Sequence, residues 1–465
     1  MTLKNYSGQE IWEKDRQHFF HPWTHFASFK EEGSLIMAEA DGAYVYDVDG
    51  KKYLDGIGGL WCVNIGYGRE EVIEAMANQA RKMTYYSPFT DVSNVPAAEL
   101  AAKLAELAPG ALNHVFFSCG GSTANEMAFR IIEYYQGIRG KPEKRHWIAR
   151  HEGYHGGTHI TQSMGGKKMD RMPEFSYRSD IFHHLSAPNP YRRPDGMSVA
   201  AFTDHLVEEF KDKVAELGAE NVAAFIAEPI MGAGGVIVPP EGYLQRIHEL
   251  CREHDIIFVA DEVVTGFGRV GHWFASNGMF GIEPDIICCA KGLTSGYLPL
   301  GATIYSDEIH DTIFNSGADR MFTSGFTYSG HPVSCAAALK NIELMENEDL
   351  FAHVRDVGAY FFEQLQTLQD LPTVGEVRGS HFMVCIENVA DKQTKATFPD
   401  EVNIGKRIAN AAEERGVIVR PVAHLNVLSP PLTITREQCD TIVRVLRESI
   451  LGVVGELREE GLMAA

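Results

Sequence analysis

The sequence predicts an α/β protein: a large domain with a mostly parallel sheet sandwiched by helices, joined to a smaller α+β domain. Three observations lead there. Between about residues 69 and 345, short apolar runs rich in β-branched residues alternate with longer amphipathic stretches. After about residue 331 that alternation gives way to long helical spacings with a few strands between them. The composition, 45% hydrophobic and 23% charged over 465 residues, is that of a globular chain able to bury a sizeable core.

Taken in order, the first 60 residues hold GAYVYDVDGKKYLDG, two short strands joined by a VDGK turn. Such a hairpin is too small to stand alone and is expected to pack on one of the lobes. HVFFSC (114–119), HWIARH (146–151), AAFIAEP (223–229), IIFVAD (256–261), DIICCA (285–290) and GATIYS (301–306) read as buried strands. Between them, residues 122–136, 199–217 and 243–254 carry helical spacing. The last third predicts helices over 331–347, 350–369, 403–415 and 435–456, with strands around 374–388 and 416–428. At roughly 150 residues per domain the length suggests three units. The single change of pattern favours two: residues 61–335 as the large domain, and residues 1–60 with 336–465 as the small one.

Lys and Arg number 42 against 63 Asp and Glu, a formal charge of -21, so the average surface repels a polyanion and nucleic acid is excluded as a partner. A local basic pocket for a small anion is compatible with that total. The eight cysteines form no CxxC pair and sit mostly in apolar runs such as DIICCA and FMVCIE, which reads as buried thiols in a reducing compartment. The opening MTLKNYSGQEIWEKDRQ lacks the apolar stretch of a signal peptide, so a cytoplasmic location is expected. The most apolar long segment, residues 221–240, contains Glu228 and three prolines, so no membrane span is predicted.

Three strand ends carry the chemistry. In HVFFSCGGSTANEMAFRIIEYY a strand and a glycine pair lead into a helix with Thr123 and Glu126 at capping-box spacing. Gly120 and Gly121 would let an anion approach the free N–H groups of the helix start, and Ser122 adds a hydroxyl. In IIFVADEVVTGFGRVG, Asp261 ends an apolar strand at the edge where open α/β sheets bind ligands. Gly266, Gly268 and Gly271 there match GxGxxG, but they follow the strand by several residues and lead into no apolar helix, so a dinucleotide site is rejected. In DIICCAKGLTSGYLPLGA, Lys291 emerges from an apolar strand among small residues, the setting of an amine that forms a Schiff base. An anion site, a buried acid and an emergent lysine together fit one ligand with a phosphate, a protonatable ring nitrogen and an aldehyde: pyridoxal 5'-phosphate.

On GLWCVNIGYG (59–68), HEGYHGG (151–157), AEPIMGAGGVIVPPEGY (227–243), ADEVVTGFGRVG (260–271), AKGLTSGYLPLG (290–301) and GFTYSGHPV (325–333), nearly the whole chain resembles the class III aminotransferases of fold type I, most closely the ω-amino acid or amine:pyruvate transaminase group. The resemblance implies Lys291 as the Schiff-base lysine and Asp261 as the acid on the pyridine nitrogen. It implies Val263 and Tyr154 on the two ring faces, Gly121 and Ser122 at the phosphate with Thr327 reaching in from a partner subunit, and Glu228 near the cofactor edge. Around the substrate it implies an aromatic box of Trp23, Trp61, Tyr154 and a partner's Phe89, with Arg420 as a mobile carboxylate binder. Two positions depart from relatives. Thr123 stands where many have glutamate, and Ala233 stands where enzymes acting on γ-aminobutyrate or ornithine place a glutamate that neutralises the arginine. Alanine there leaves Arg420 free to swing and widens the pocket. The resemblance further implies a homodimer or dimer of dimers with a shared site, and an amine such as β-alanine, taurine or putrescine as donor to pyruvate. A class III enzyme with another acceptor, or a decarboxylating one, is the alternative.

One rival motif stands apart. His151, Glu152 and His155 spell HExxH, with His159 beyond, the pattern of a zinc metalloprotease. Zinc would need both histidines on one helical face, and Gly153, Gly156 and Gly157 oppose a helix there. The segment is therefore expected to be a loop that places Tyr154, and no metal site is predicted. The His183 and His184 pair reads as exposed and without function.

Overall fold

The computed structural model of the chain describes residues 7–463, so residues 1–6 of the predicted N-terminal segment and the last two of the C-terminal part lie outside it. Strands β1 (Met37–Asp41), β2 (Tyr44–Asp47) and β3 (Lys52–Asp55) form an antiparallel meander. The predicted VDGK turn joins β2 to β3, closed by the Asp47 carboxylate, which accepts from the N–H groups of Asp49 and Lys51.

The large sheet contains β4 (Leu112–Ser118), β5 (His146–Arg150), β6 (Phe182–Leu185), β7 (Val222–Ala227), β8 (Ile257–Asp261), β9 (Ile286–Cys289) and β10 (Gly301–Ser306) in the order β4-β10-β9-β8-β7-β5-β6. From β6 to β9 every ladder is parallel, while β10 runs antiparallel to both β9 and β4. All six predicted strands are present. Their continuous apolar runs have one cause: the sheet is covered on both faces, so alternate side chains enter two different cores. Phe225 and Ala227 of β7 enter one, Ala224 and Ile226 the other. Helix Val199–Leu217 begins where Ser198 accepts from Ala201 N–H and stops at Gly218, whose φ of 78° ends the helical path. It stacks Phe210 on Phe225, and Phe225 in turn meets Phe258, with centroids 5.6 and 5.5 Å apart.

The seventh strand, β6, was not predicted, because two imidazoles occupy the centre of a four-residue edge strand, FHHL. They are not the exposed pair the sequence suggested. Both are half-buried; His183 Nε2 lies 2.9 Å from His146 Nδ1, and His184 Nε2 lies 2.9 Å from the Met164 carbonyl.

After helix Pro332–Asn347 the chain forms β11 (Val374–Ser380), β12 (Met383–Asn388), β13 (Val417–Ile418), β14 (Arg420–Val422) and β15 (Leu425–Leu428). Four of these make an antiparallel sheet in the order β11-β12-β15-β14, and β13 instead pairs in parallel with β3, so the first hairpin and the last third share a sheet. The predicted helix over 350–369 is helical throughout but passes through a wide π turn at Val354–Gly358. Helices Ile404–Glu414 and Arg436–Glu459 complete this part. Among the described residues no helix is long and apolar enough to cross a membrane.

Phe225 is fully buried between two aromatic neighbours on the face of β7. Phe225→Ala is expected to cost about 3–5 kcal/mol, read as a lower urea midpoint; an unchanged midpoint would mean that the layer collapses around the gap.

Candidate active site

Because β10 is reversed between β4 and β9, strands β4, β5, β7, β8 and β9 all point the same way. Their C-terminal ends deliver the Gly120–Gly121 turn, His151, Glu228, Asp261 and Lys291 to one edge of the sheet. That is the edge on which open α/β sheets bind ligands.

Lys291 opens a single tight turn, Lys291–Leu293, with φ of 45°, a left-handed backbone that costs a side-chain-bearing residue energy. The turn is held by Asn341, whose amide donates to the carbonyls of Gly292 and Leu293 at 2.9 and 3.0 Å. A Cβ on Gly292 would fall 2.4 Å from Asn64 Nδ2, so the residue after the lysine has no room to be anything else. Burial among protein atoms pushes the Lys291 amine below the usual lysine range, and the Asp261 charge opposes that shift. The residue nevertheless keeps some surface open to solvent.

Asp261 is 4% exposed. Its Oδ2 accepts from Asn125 Nδ2 at 2.7 Å and lies 2.7 Å from His155 Nδ1, and its Oδ1 accepts from Val263 N–H at 3.1 Å. Asn125 also donates to the His155 carbonyl at 2.8 Å. Glu228 is held in a similar way: Tyr154 N–H donates to Oε1 at 3.1 Å and Gly232 N–H to Oε2 at 2.7 Å, while burial pushes its carboxyl above the usual range. Glu228 thus fastens together the loops that carry Tyr154 and Ala233.

The helix Gly121–Ile138 begins three residues earlier than a capping box at Thr123 and Glu126 requires, with Gly120 as its cap. Thr123 Oγ1 accepts from Cys119 N–H and donates to the Gly120 carbonyl, whereas Glu126 accepts from Thr158. Threonine at 123 therefore ties the glycine turn shut. The first helical bond runs from Ala124 N–H to Gly120, so the N–H groups of Gly121 and Ser122 have no partner among the described residues. A Cβ on Gly121 would meet Val263 Cγ1 at 2.7 Å, but one on Gly120 or Gly157 would meet nothing within 4 Å. Ser122 Oγ accepts from Gly157 N–H at 3.0 Å. Open space thus lies against a helix start with unpaired donors, and a phosphate fits it. With Asp261 for a ring nitrogen and Lys291 for an aldehyde, the residues present fit pyridoxal phosphate.

Around this centre, Tyr154 and Trp23 meet edge-on with centroids 5.9 Å apart, and Trp23 is 57% exposed. Trp61 is buried in a different cluster with Ile230, Val236 and Leu425, under the loop that carries Ala233. Phe89 is 51% exposed, and Thr327 is exposed too, its carbonyl accepting from Tyr85; both lie on the surface of this chain, apart from the buried cluster at Lys291. Arg420 on β14 is exposed, though the protein around its guanidinium lowers it from the usual range, and its side chain has no hydrogen-bond or ion-pair partner among the described residues. The Ala233 loop overlies the same sheet, since a Cβ on Gly235 would strike Leu425 and Arg378.

The HExxH segment is a turn, not a helix, with Glu152 at φ of 65°. His155 points at Asp261 while His151 faces the Gly166 carbonyl, and no metal-sized group of His, Cys, Asp and Glu exists among the described residues, so the protease reading falls. Gly268 and Gly271 serve packing: both have positive φ, and Cβ atoms there would press on Phe351 and Arg355. Asn125 and His155 are site residues that the sequence did not reveal as such. They reach Asp261 across 136 and 106 positions, and nothing in local spacing reports a side-chain bond of that range.

Since burial lowers the Lys291 amine below 10.5, the unfolded chain binds the proton more tightly, and stability rises with pH between the folded and unfolded values. In cofactor-free protein, Lys291→Met is expected to raise the thermal midpoint at about pH 7, the gain shrinking as pH approaches about 10. A gain constant with pH would refute desolvation of the amine as its source.

Comparison with known proteins agrees with this geometry. The profile of the class III aminotransferases matches residues 27–450. The chain is 40% identical to the putrescine–pyruvate aminotransferase of Pseudomonas aeruginosa, over 96% of this chain and 97% of that one. It is 37% identical to the diaminobutyrate–2-oxoglutarate transaminase of Halomonas elongata, over 98% and 99%. Among solved structures, a thermostable (S)-enantioselective ω-transaminase from Thermomicrobium roseum superposes with a TM-score of 0.93 at 42% identity, covering 96% of this chain and 99% of that one. An amine transaminase from an uncultivated Pseudomonas species, solved with pyridoxal phosphate bound, gives 0.90 at 40% identity over 94% and 99%. With a lysine, an acid and a phosphate cradle at one sheet edge and likeness over nearly its full length, the chain belongs to the class III aminotransferases, enzymes of the fold-type I architecture that depend on pyridoxal phosphate.

Proposed function

We propose that this aminotransferase moves the amino group of an ω-amino acid or amine, such as β-alanine, taurine or putrescine, to pyruvate, giving L-alanine and an aldehyde or ketone. The observation that carries this reading is Arg420, an exposed cation without a counter-ion in the sheet that the Ala233 loop packs against, Ala233 itself supplying no carboxylate. A site that must accept a carboxylate-free amine and then a keto acid needs an arginine free to withdraw and return. The likeness to a putrescine–pyruvate enzyme supports the same acceptor.

When bound, pyridoxal phosphate supplies the electron sink that lets the carbon bearing the amine lose a proton. In this reading Gly121 and Ser122 hold its phosphate, Val263 and Tyr154 enclose its ring, and Asp261 keeps the ring nitrogen protonated. Asn125 and His155 fix the carboxylate so that its charge stays aimed there. Glu228 holds the Tyr154 loop in place. Lys291 would carry the cofactor, and its amine, biased by burial toward the neutral form, would be the base that holds and moves the proton of the substrate carbon. Arg420 then receives the keto-acid carboxylate through two parallel N–H bonds.

The exposure of Phe89 and Thr327, with Tyr86 and Tyr328 also exposed, supports a second copy covering this face and lending both residues to its neighbour, in a homodimer or dimer of dimers. The β3–β13 pairing supports residues 1–60 and 336–465 as one small domain beside residues 61–335. Eight unpaired cysteines, six of them buried, support a reducing, cytoplasmic setting.

Asp261→Asn is expected to lower turnover on the order of a hundredfold or more, and near-normal turnover would refute its role. Arg420→Ala is expected to impair alanine formation through pyruvate far more than the half-reaction with a carboxylate-free amine, followed by the cofactor's absorbance. Equal losses would overturn the switching arginine, and glutamate formed from 2-oxoglutarate in place of alanine would overturn the acceptor.

A further inference from the structure

Beside the Tyr154 ring the fold leaves a small cavity of about 10 Å³, room for the centre of one water-sized group. Trp23, Tyr154, Gln162, Lys167, Asp170 and Arg171 form its wall together with glycine backbone. Two of these are cations, and both are already engaged. Arg171 donates to the carbonyls of Ser163 and Gly165 at 2.8–3.2 Å and lies over the Tyr177 ring, while Lys167 Nζ donates to the Ala233 carbonyl at 3.3 Å. Asp170 is different. Its carboxylate is half-buried and has no hydrogen bond or ion pair among the described residues.

The local charge leans the same way. Lys167 is shared between Asp170 and Glu152: burial pushes both carboxyls up and the Lys167 charge draws both back, with His151 and Lys168 also acting on Glu152. Asp170 also faces Tyr154, since its charge is the next influence after burial in raising the Tyr154 phenol. The one carboxylate in the wall therefore has no hydrogen-bond donor of its own, because both neighbouring cations are spent on carbonyls. A carboxylate would be larger than the space, and it would need Lys167 or Arg171 to abandon a carbonyl.

The geometry points to Asp170 as the residue that takes the second ammonium of a diamine donor, with Trp23 and Tyr154 covering the methylene chain that leads to it. This inference rests on the amine-donor reading above and narrows it to diamines. Asp170 is thus a specificity-determining residue at the mouth of the site rather than a catalytic one. An ammonium seated there replaces its lost water shell with a charge-assisted bond to an acceptor that otherwise stays unpaired.

The test compares putrescine with butylamine, which has the same carbon chain and one ammonium fewer, using the holoenzyme and its Asp170→Asn variant. Donor consumption is followed by loss of the cofactor's absorbance, which needs no acceptor. The variant is expected to lose kcat/KM for putrescine roughly tenfold more than for butylamine, chiefly through KM, and Asp170→Glu is expected to recover part of the preference. Parallel losses for the two amines would overturn the assignment. So would a wild-type enzyme that consumes butylamine but not putrescine, and in that case the amine-donor reading stands. A wild-type enzyme that consumes neither of these, nor β-alanine nor taurine, would overturn both.

Discussion

The site depends on how the Asp261 carboxylate is held. A buried anion at the end of an apolar strand is costly unless its oxygens are satisfied. Here Asn125 from the helix after β4, His155 from the loop after β5 and the Val263 amide after β8 all converge on it. The same Asn125 amide reaches the His155 carbonyl, so three sheet connections are fastened at one point. The helix that follows the Gly121 turn, the Tyr154 loop and the Val263 segment are thereby fixed to one another through one carboxylate, while the lysine turn is held separately by Asn341.

Glu228 repeats the arrangement one strand away. It secures the Tyr154 amide on one side and the Gly232 amide on the other, and thereby sets where the Ala233 loop lies over β11 and β15. Arg420 is left outside both networks. An acidic chain, net -21, thus surrounds a centre that holds unpaired donors, the helix-start amides at Gly121 and Ser122 and the guanidinium at Arg420, beside one unpaired acceptor at Asp170. Average surface charge and site charge have opposite signs because they are set by different residues.

The strands of the large sheet were legible because each is a continuous apolar run such as VAAFIA or IFVAD, buried on both faces and too short for a helix. β6 was not, because FHHL at a sheet edge carries no apolar alternation. Lys291 and Asp261 could be read from position at strand ends. Asn125 and His155 could not, since their meaning lies in contacts across more than a hundred positions. The capping-box reading of Thr123 failed for a related reason: spacing showed which residues could pair but not that the helix starts at the glycines, where Thr123 turns back on Gly120.

The parallel pairing of β3 with β13 bears on the order in which the protein can be made. The first hairpin leaves the ribosome early, yet the strand that completes its sheet belongs to the last tenth or so of the chain. An unpaired edge of a small, half-apolar sheet must persist through synthesis of the whole intervening domain, which closes its own sheet first. Non-local pairing of this kind is slow, because the ordering of a long loop precedes any gain from the contact. Until release, the nascent chain would expose that edge as its most vulnerable surface.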